Sequence, residues 1–247
     1  MGILSKLKEM FGDSSPRPTI EWVNIPAGTF TMGSPENEVG KSYDETQHQV
    51  TLSAFKMSKY PVTFEQYDVF CEATGREKPT DKGWGRGKRP VIFVNWKDAT
   101  AFAKWMGCRL PTEAEWEYAC RAGTTTPFNT GNSLNISQAR FRNPNLSGEQ
   151  AFTSDRGTVP AGSFAPNEFG LYDMHGNVSE WCSDYWKEDY ETNVQTDPKG
   201  PLTGKTYVVR GGGWFTKVVE CRSACRQNFA SNYMFSDLGF RIVSDNS

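Results

Sequence analysis

Phe169-Gly-Leu-Tyr-Asp-Met-His-Gly-Asn-Val-Ser-Glu-Trp181 is the most informative stretch of this 247-residue chain. Two carboxylates, Asp173 and Glu180, bracket a tight turn in which the small Gly176 lets backbone carbonyls point inward. Hard oxygen ligands packed in this way suit Ca²⁺. A second interpretation needs no metal, because the two carboxylates can cap the turn by hydrogen bonding while Trp181 packs in the core. The turn therefore has a metal-binding and a purely structural interpretation.

Three helices are predicted before this turn. Thr63 and Thr112 are each followed three residues later by Gln or Glu, the spacing of a capping box that satisfies free N–H groups at a helix start. The third helix is expected to end near Gly123, in the left-handed conformation that glycine favours. A helix over about residues 97–106 lies between the other two.

Short apolar runs predict strands on both sides of these helices. They lie at residues 20–25, 29–32, 48–57, 207–214, 220–226 and 238–243. Residues 124–166 are rich in Asn, Gly, Ser and Thr and are expected to form long packed loops. Residues 19–247 are thus predicted to be one α+β domain with short mixed strands, about three helices and long packed loops.

Composition narrows the classes of function. With 37% hydrophobic and 13% aromatic residues, the chain can build a core. The formal net charge is −2, and Lys and Arg are scattered, so no nucleic-acid partner is expected. Neither an apolar run of about 20 residues nor a signal-peptide pattern occurs, so a cytoplasmic protein is predicted.

Residues 1–18 are predicted to form an amphipathic helix followed by a Pro-containing polar linker. One face at helical spacing carries Ile3, Leu4, Leu7, Met10 and Phe11. Such a helix is suited to contact a partner or a membrane surface, and packing on its own domain or fraying explains it equally.

The cysteines occur singly in apolar or strand-like runs, without C-x2-C pairs. They are Cys71, Cys108, Cys120, Cys182, Cys221 and Cys225. Reduced, mostly buried thiols are expected, rather than disulfides or a zinc site.

Five motifs resemble the successive signatures of the formylglycine-generating enzyme (sulfatase-modifying factor) family. Besides the stretch quoted first they are Phe30-Thr-Met-Gly-Ser, Arg109-Leu-Pro-Thr-Glu-Ala-Glu-Trp-Glu-Tyr-Ala, Arg210-Gly-Gly-Gly-Trp and Leu238-Gly-Phe-Arg. Their order and spacing match over roughly residues 22–243. The resemblance implies an irregular C-type-lectin-like fold, which hosts formylglycine formation, domains of sulfoxide synthases and non-catalytic binding proteins.

The resemblance also implies a structural calcium site at the first stretch. Its ligands are the side chains of Asp173 and Glu180 and the carbonyls of Gly176 and Val178. The family's other calcium site, expected in the Asn-rich loop before Thr158, is not convincingly matched.

The catalytic copper of the family implies two cysteines five residues apart, since Cu(I) prefers two soft thiolates. In this chain Thr216 stands where the first cysteine falls, and the only nearby pair, Cys221 and Cys225, is four apart. If residues 221–226 form an extended strand, the two thiols lie about 13 Å apart. No copper is therefore expected.

The C-terminal segment departs from the Arg, Asn and Pro usual in the family. It carries Phe229, Tyr233, Met234 and Phe235, here called the aromatic face. Aromatic residues in an exposed, turn-rich stretch are typical of a binding surface, although they can also fold back into the core. The arrangement resembles the variable proteins of diversity-generating retroelements, which makes residues 210–243 a candidate variable segment.

The favoured hypothesis is a non-catalytic protein that binds an unknown protein or small ligand at this C-terminal surface. The predicted ligand-binding residues are Trp214, Phe215, Thr216, Lys217, Val218, Glu220, Cys225, Gln227, Asn228, Phe229, Tyr233, Phe235 and Asp237. The alternative is a formylglycine-generating oxidoreductase that acts on a protein cysteine through Cys221 or Cys225. A structural assembly module is a third possibility.

Overall fold

The computed structural model describes residues 16–142, 156–190 and 192–245. In chain order its elements are β1 (Trp22–Ile25), β2 (Gly28–Met32), β3 (His48–Leu52), β4 (Phe55–Ser58), α1 (Phe64–Thr74), α2 (Trp96–Trp105), α3 (Glu113–Arg121), β5 (Ser179–Tyr185), β6 (Gln195–Thr196), β7 (Thr206–Arg210), a 3₁₀ helix (Val218–Cys221), β8 (Arg226–Ala230), β9 (Leu238–Gly239) and β10 (Val243–Ser244). The N-terminal helix predicted at residues 1–12 lies outside the described residues.

Three small sheets form the β structure. Their strand orders are β1-β4-β10, β2-β3-β6 and β8-β7-β5-β9. Most pairs are antiparallel, whereas β3 with β6 and β5 with β9 are parallel. This mixed α+β architecture confirms the predicted fold class.

All three helices begin with a capping box. The side chains of Thr63, Asn95 and Thr112 each accept a hydrogen bond from the backbone N–H of the residue three positions later. The side chain of that later residue in turn accepts from the backbone N–H of the capping residue. The last helix ends at Arg121, close to the predicted Gly123; the C-cap Ala122 is left-handed, with φ of 46°, and Gly123 follows it with φ of 91°.

Four predictions for the strands are corrected. β7 ends at Arg210, before the predicted end at Trp214, and residues 238–243 contribute to two short strands, β9 and β10, rather than one. Residues 48–57 form two strands, β3 and β4, rather than one. Residues 220–226 are not a strand, because the 3₁₀ helix Val218–Cys221 and a turn occupy them and β8 starts only at Arg226. β6 is too short to give a sequence pattern.

Two large apolar clusters fill the interior. In one, α1 and α2 pack on the four-stranded sheet through Phe70, Phe102 and Phe240, with ring centroids 5.5 Å apart in neighbouring pairs. In the other, α3 packs against β2–β4, and all nine of its residues are buried. Helix α3 is thus a central element, whose acidic side chains must find partners inside the protein. No described helix has the length and apolar character of a membrane crossing.

Candidate ligand-binding site

Thr216, which stands where the first copper-binding cysteine of the family falls, lies just after β7. Gly212, with φ of 66°, has no side chain, and a Cβ there would lie 2.7 Å from the Cys221 sulfur and 2.8 Å from the Thr216 hydroxyl. The 3₁₀ helix returns the chain so that Thr216 Oγ1 lies 3.4 Å from Cys221 Sγ. Thr216 and Cys221, which are five residues apart in the chain, therefore face each other in the way that two ligands of one metal ion do.

The Thr216 hydroxyl is held by the backbone of one residue. Its oxygen lies 3.0 Å from the Gly213 N–H, which donates to it, and it donates to the Gly213 carbonyl at 3.0 Å. Burial raises the pKa of Cys221 to about 12, so this thiol stays protonated near neutral pH. A hydroxyl and a neutral thiol stand together here.

Cys225 gives no reactive thiolate either, since burial raises its pKa to about 12. The separation of about 13 Å between Cys221 and Cys225 assumed one extended strand, and this condition is not met, since the 3₁₀ helix ends at Cys221 and β8 begins at Arg226. All six cysteines are free thiols. Within the described ranges, no group of three or more His, Cys, Asp or Glu side chains is arranged to hold a metal.

The aromatic face is a row of nearly parallel rings. Phe229 and Tyr233 stack with centroids 4.3 Å apart at 11°, and Tyr233 and Phe235 follow at 6.2 Å and 17°. Tyr233, Met234 and Phe235 remain 37%, 48% and 44% exposed. Phe229 is half-buried and contacts Trp181 of the core edge-on, at 6.4 Å. The row is therefore anchored at one end and open at the other.

The backbone of this row is also fixed. The Tyr233 N–H donates to the Ala230 carbonyl at 2.9 Å, which closes the turn after β8. The Phe93 N–H donates to the Phe235 carbonyl at 3.1 Å. The exposed rings thus sit on a rigid support.

Two of the predicted binding residues are structural. Trp214 is buried, donates from Nε1 to the Ser236 carbonyl at 2.9 Å and meets Trp84 edge-on at 5.2 Å. Asp237 is buried as well, and burial raises the pKa of its carboxyl to about 6. Both lie beneath the surface that the rings form.

The other predicted binding residues are at least partly accessible. They are Phe215, Thr216, Lys217, Val218, Glu220, Cys225, Gln227 and Asn228. Phe215 packs on Trp214 with centroids 5.2 Å apart, and Arg142 lies 5.7 Å from its ring. Val218 leans on the small apolar cluster around Phe128.

At the predicted calcium turn, the two carboxylates differ. Asp173 Oδ2 accepts from the Gly162 N–H at 2.8 Å, whereas its buried Oδ1 has no hydrogen-bond partner, and burial raises the pKa of the carboxyl to about 6. Glu180 is fully buried and accepts from Arg241 at 2.6 and 2.9 Å and from Trp116 Nε1 at 2.7 Å. Asp173 fits a calcium ligand, while Glu180 has both oxygens occupied by neutralising donors.

His175, in the same turn, is a structural residue. Its Nδ1 donates to the Cys221 carbonyl at 2.7 Å, and its Nε2 accepts from the Asn129 N–H at 3.0 Å. Burial lowers its pKa to about 4, so the ring is neutral. With both nitrogens used, His175 holds the turn against the 3₁₀ helix.

Sequence reasoning missed a buried network beside these sites, here called the arginine–carboxylate core: Glu113, Glu117, Arg210 and Arg226. Arg210 bonds both glutamates, and Arg226 binds Glu113 at 2.7 and 3.0 Å. Burial alone would raise the pKa of Glu113, but the charges of Arg226 and Arg210 lower it overall. Glu113 and Glu117 lie four residues apart on α3, close to apolar residues such as Ala114 and Trp116. This spacing was the only signal of the network in the sequence.

Comparison with known proteins fits this architecture. The profile of the sulfatase-modifying factor enzyme 1-like domain matches residues 8–246. A formylglycine-generating enzyme of Mus musculus is 32% identical over 292 residues, which cover 94% of this chain and 77% of that protein. The structure of PvdO from Pseudomonas aeruginosa superimposes with a TM-score of 0.75 at 30% identity, covering 93% of this chain and 99% of that one. Treponema denticola variable protein 1 gives 0.74 at 25% identity, with 92% and 98% covered. The chain therefore belongs to the formylglycine-generating enzyme (sulfatase-modifying factor) family and has its C-type-lectin-like fold.

Proposed function

We propose that this protein is a non-catalytic binding protein whose aromatic face recognises a protein or small ligand. The observation that carries the proposal is the row Phe229, Tyr233 and Phe235, with parallel rings that are open to solvent yet anchored on Trp181. Exposed aromatic rings on a rigid base supply contact area without a large loss of conformational entropy on binding.

The chemistry at Thr216 supports the same proposal. Cu(I) ligation needs two thiolates, and the pair that faces here is a hydroxyl and a thiol whose pKa burial raises to about 12. A serine or threonine hydroxyl is a poor ligand for a soft metal. The site keeps the shape of a metal-binding pair but retains only one of the two sulfur donors.

A calcium ion is proposed as a brace of the turn, held by the free Oδ1 of Asp173 and the carbonyls of Gly176 and Val178. The unpartnered buried oxygen of Asp173 supports this proposal. Participation of Glu180 requires Arg241 to move away from it. Calorimetric titration with Ca²⁺ is expected to show binding that Asp173→Asn removes, and absence of any binding would exclude the brace.

The alternative, a formylglycine-generating oxidoreductase acting on a protein cysteine, is favoured by the mouse relative, which carries that name and aligns over most of its length. Incubation of the protein with a cysteine-containing sulfatase peptide, copper, oxygen and a thiol reductant separates the two functions. We expect the mass of the peptide to stay unchanged. A mass loss that depends on Cys221 would establish the enzyme instead.

The binding function is tested by selection from a displayed random-peptide library on the full chain. Enriched peptides are expected to lose binding to Tyr233→Ser and Phe235→Ser. Tyr43→Ser is a matched control, because Tyr43 is 70% exposed and lies outside the aromatic face. Equal loss in the control, or no loss in the two variants, would contradict the proposed face.

The likeness to Treponema denticola variable protein 1 supports the further proposal that residues 210–243 are diversified. A reverse-transcriptase gene and a near-repeat of this coding region that differs only at adenines are expected beside the gene. Their absence from the genome would rule out diversification by a retroelement.

A further inference from the structure

A pocket of about 300 Å³ lies on the side of the molecule where α3 begins. Its walls come from the start of α3, from β3 and from the loops that follow β5 and β6. The part of the lining used below is Met32, Asp184, Tyr185, Tyr190, Gly200 and Pro201, and the cavity is here called the Asp184 pocket. None of the predicted ligand-binding residues lines it. Its volume falls at the lower end of the range for small-molecule sites.

Asp184 is the unusual group in this pocket, because it is a buried carboxyl without a cationic partner. It is 5% exposed. The hydrogen bonds that the described residues give it, from the Glu113 N–H and the Ser183 hydroxyl, both end on Oδ2 at 3.0 Å. Among these residues, no lysine or arginine forms an ion pair with it. Buried charges are normally paired, so Oδ1 is an open position for a donor.

Asp184 lines the pocket, so its carboxyl can be reached from the cavity. The backbone of Gly200 packs closely on one side of this carboxyl, since a Cβ placed there would lie 2.9 Å from both Cβ and Oδ1 of Asp184. Gly200 and Asp184 both line the pocket, while Met32 and Pro201 give it apolar walls. Tyr185 and Tyr190 complete this part of the lining, and their rings already pack on Tyr207 and on Arg226.

The other charged groups of the pocket are either paired with a group of opposite charge or exposed at its rim. Arg226 is saturated by Glu113 and lies between the rings of Trp186 and Tyr190, at 4.2 and 3.9 Å. Lys187, Asp189 and Lys199 are exposed at the mouth. His48 lies on the β3 wall, where its ring contacts that of Tyr190 at a tilt of 49°, with centroids 4.6 Å apart. The charge without a partner inside is therefore that of Asp184.

We infer that the Asp184 pocket binds a small primary amine in its ammonium form. The ammonium donates to Asp184 Oδ1, and its alkyl part lies along Met32 and Pro201. A divalent metal fits less well, because Ca²⁺ needs six to eight oxygen ligands and one open carboxylate oxygen is present.

The affinity of this site for an amine should depend on pH, because binding is linked to the ionisation of Asp184. Burial, together with the negative charge of Glu113, raises the pKa of Asp184 to about 7. An ammonium binds the ionised carboxyl, so affinity is expected to fall about a hundredfold from pH 8 to pH 5. Binding near pH 6.5 should release a proton from the protein.

The test uses n-butylammonium as the probe and calorimetric titration of the full chain at pH 8, 6.5 and 5, in two buffers of different ionisation enthalpy. n-Butanol is the uncharged comparison. We expect the amine to bind with the pH dependence and proton release described above, and the alcohol not to bind. Absence of amine binding at millimolar concentration, or binding that does not change with pH, would overturn the inference on the unmodified protein.

Two variants, each of which removes one negative charge, test where on the protein the amine binds. Asp184→Asn keeps an acceptor for the Glu113 N–H and is expected to weaken amine binding about 30-fold or more. Asp189→Asn removes an exposed carboxylate at the mouth and is expected to change it less than about threefold. Equal weakening in both variants would indicate general electrostatic attraction and contradict the assignment to Asp184.

Discussion

The arginine–carboxylate core and the aromatic face carry opposite kinds of chemistry within one small domain. In the core, Arg210 is fully buried between Glu113 and Glu117. At the face, Tyr233 and Phe235 leave about two fifths of their surface to solvent and make few contacts beyond their own row. The charges of the first region are paired inside the protein, whereas the second region is partly exposed to solvent.

Under the proposed function, the residues that stabilise the scaffold are therefore different from those that bind the ligand. The charges of the core join α3 to β7 and β8, which lie about 100 residues further along the chain, so they fix the fold that supports the face. Since the exposed rings contribute little to that network, they can be exchanged without loss of the fold.

The largest effect is expected for Arg210→Met. This substitution leaves Glu113 and Glu117 buried without Arg210, the cation that they share. The free energy of unfolding should therefore fall by about 3–5 kcal/mol. Urea denaturation measures the loss. Arg76→Met is the control, because Arg76 is 44% exposed and pairs with Asp98 at 3.4 Å, so at most about 1 kcal/mol is expected. Equal losses would mean that burial of the pair does not matter.

Asp184→Asn should have a large effect that depends on pH. The pKa of Asp184 is raised from 3.8 to about 7, so the folded state binds its proton more tightly than the unfolded state does. The stability that this gives is present below pH 3.8 and is lost as pH rises through 7. Relative to the Asn variant, the unmodified protein should lose on the order of 4 kcal/mol between pH 4 and pH 8.

Denaturation of both proteins across this pH range checks the prediction. Taking the difference between the two removes the opposite contribution of His175, whose lowered pKa makes stability rise with pH between about 4 and 6.5. A difference that is constant with pH would show that Asp184 is ionised to the same extent in the folded and unfolded states.

The smallest effect on stability is expected at the aromatic face. Tyr233→Ser and Phe235→Ser should each change the free energy of unfolding by less than about 1 kcal/mol, because the two residues are 37% and 44% exposed and lie outside the apolar clusters. Phe229→Ser should cost more, since that ring contacts Trp181. If the two exposed positions cost as much as Phe229, the face is part of the core and not a binding surface.

Local signals predicted the helices well. The capping boxes at Thr63 and Thr112 are encoded within four residues, so the sequence alone locates both helix starts. The failure at residues 220–226 has a clear physical cause, because the apolar Val218 and Cys221 serve a small side cluster through a 3₁₀ turn rather than a sheet. Pattern alone does not distinguish these two uses of apolar residues.

The candidate sites were predicted unevenly for a similar reason. The aromatic face and the substitution at Thr216 are visible as departures from a recognised pattern. The partner of Glu180 is Arg241, and the carboxyl of Asp184 packs against Gly200, which belongs to a different loop. Such long-range pairings have no local spacing rule, so they emerge only from the fold.

Titration of Cu(I) against a competing chelator tests the central claim most directly, namely that Thr216 has replaced a sulfur that the chemistry requires. Thr216 Oγ1 lies 3.4 Å from Cys221 Sγ, so Thr216→Cys should place two thiols together and create a stoichiometric Cu(I) site. The unmodified protein is predicted to take up no tightly bound Cu(I). One equivalent held tightly by the unmodified protein, and lost in Cys221→Ser or Cys225→Ser, would contradict the account.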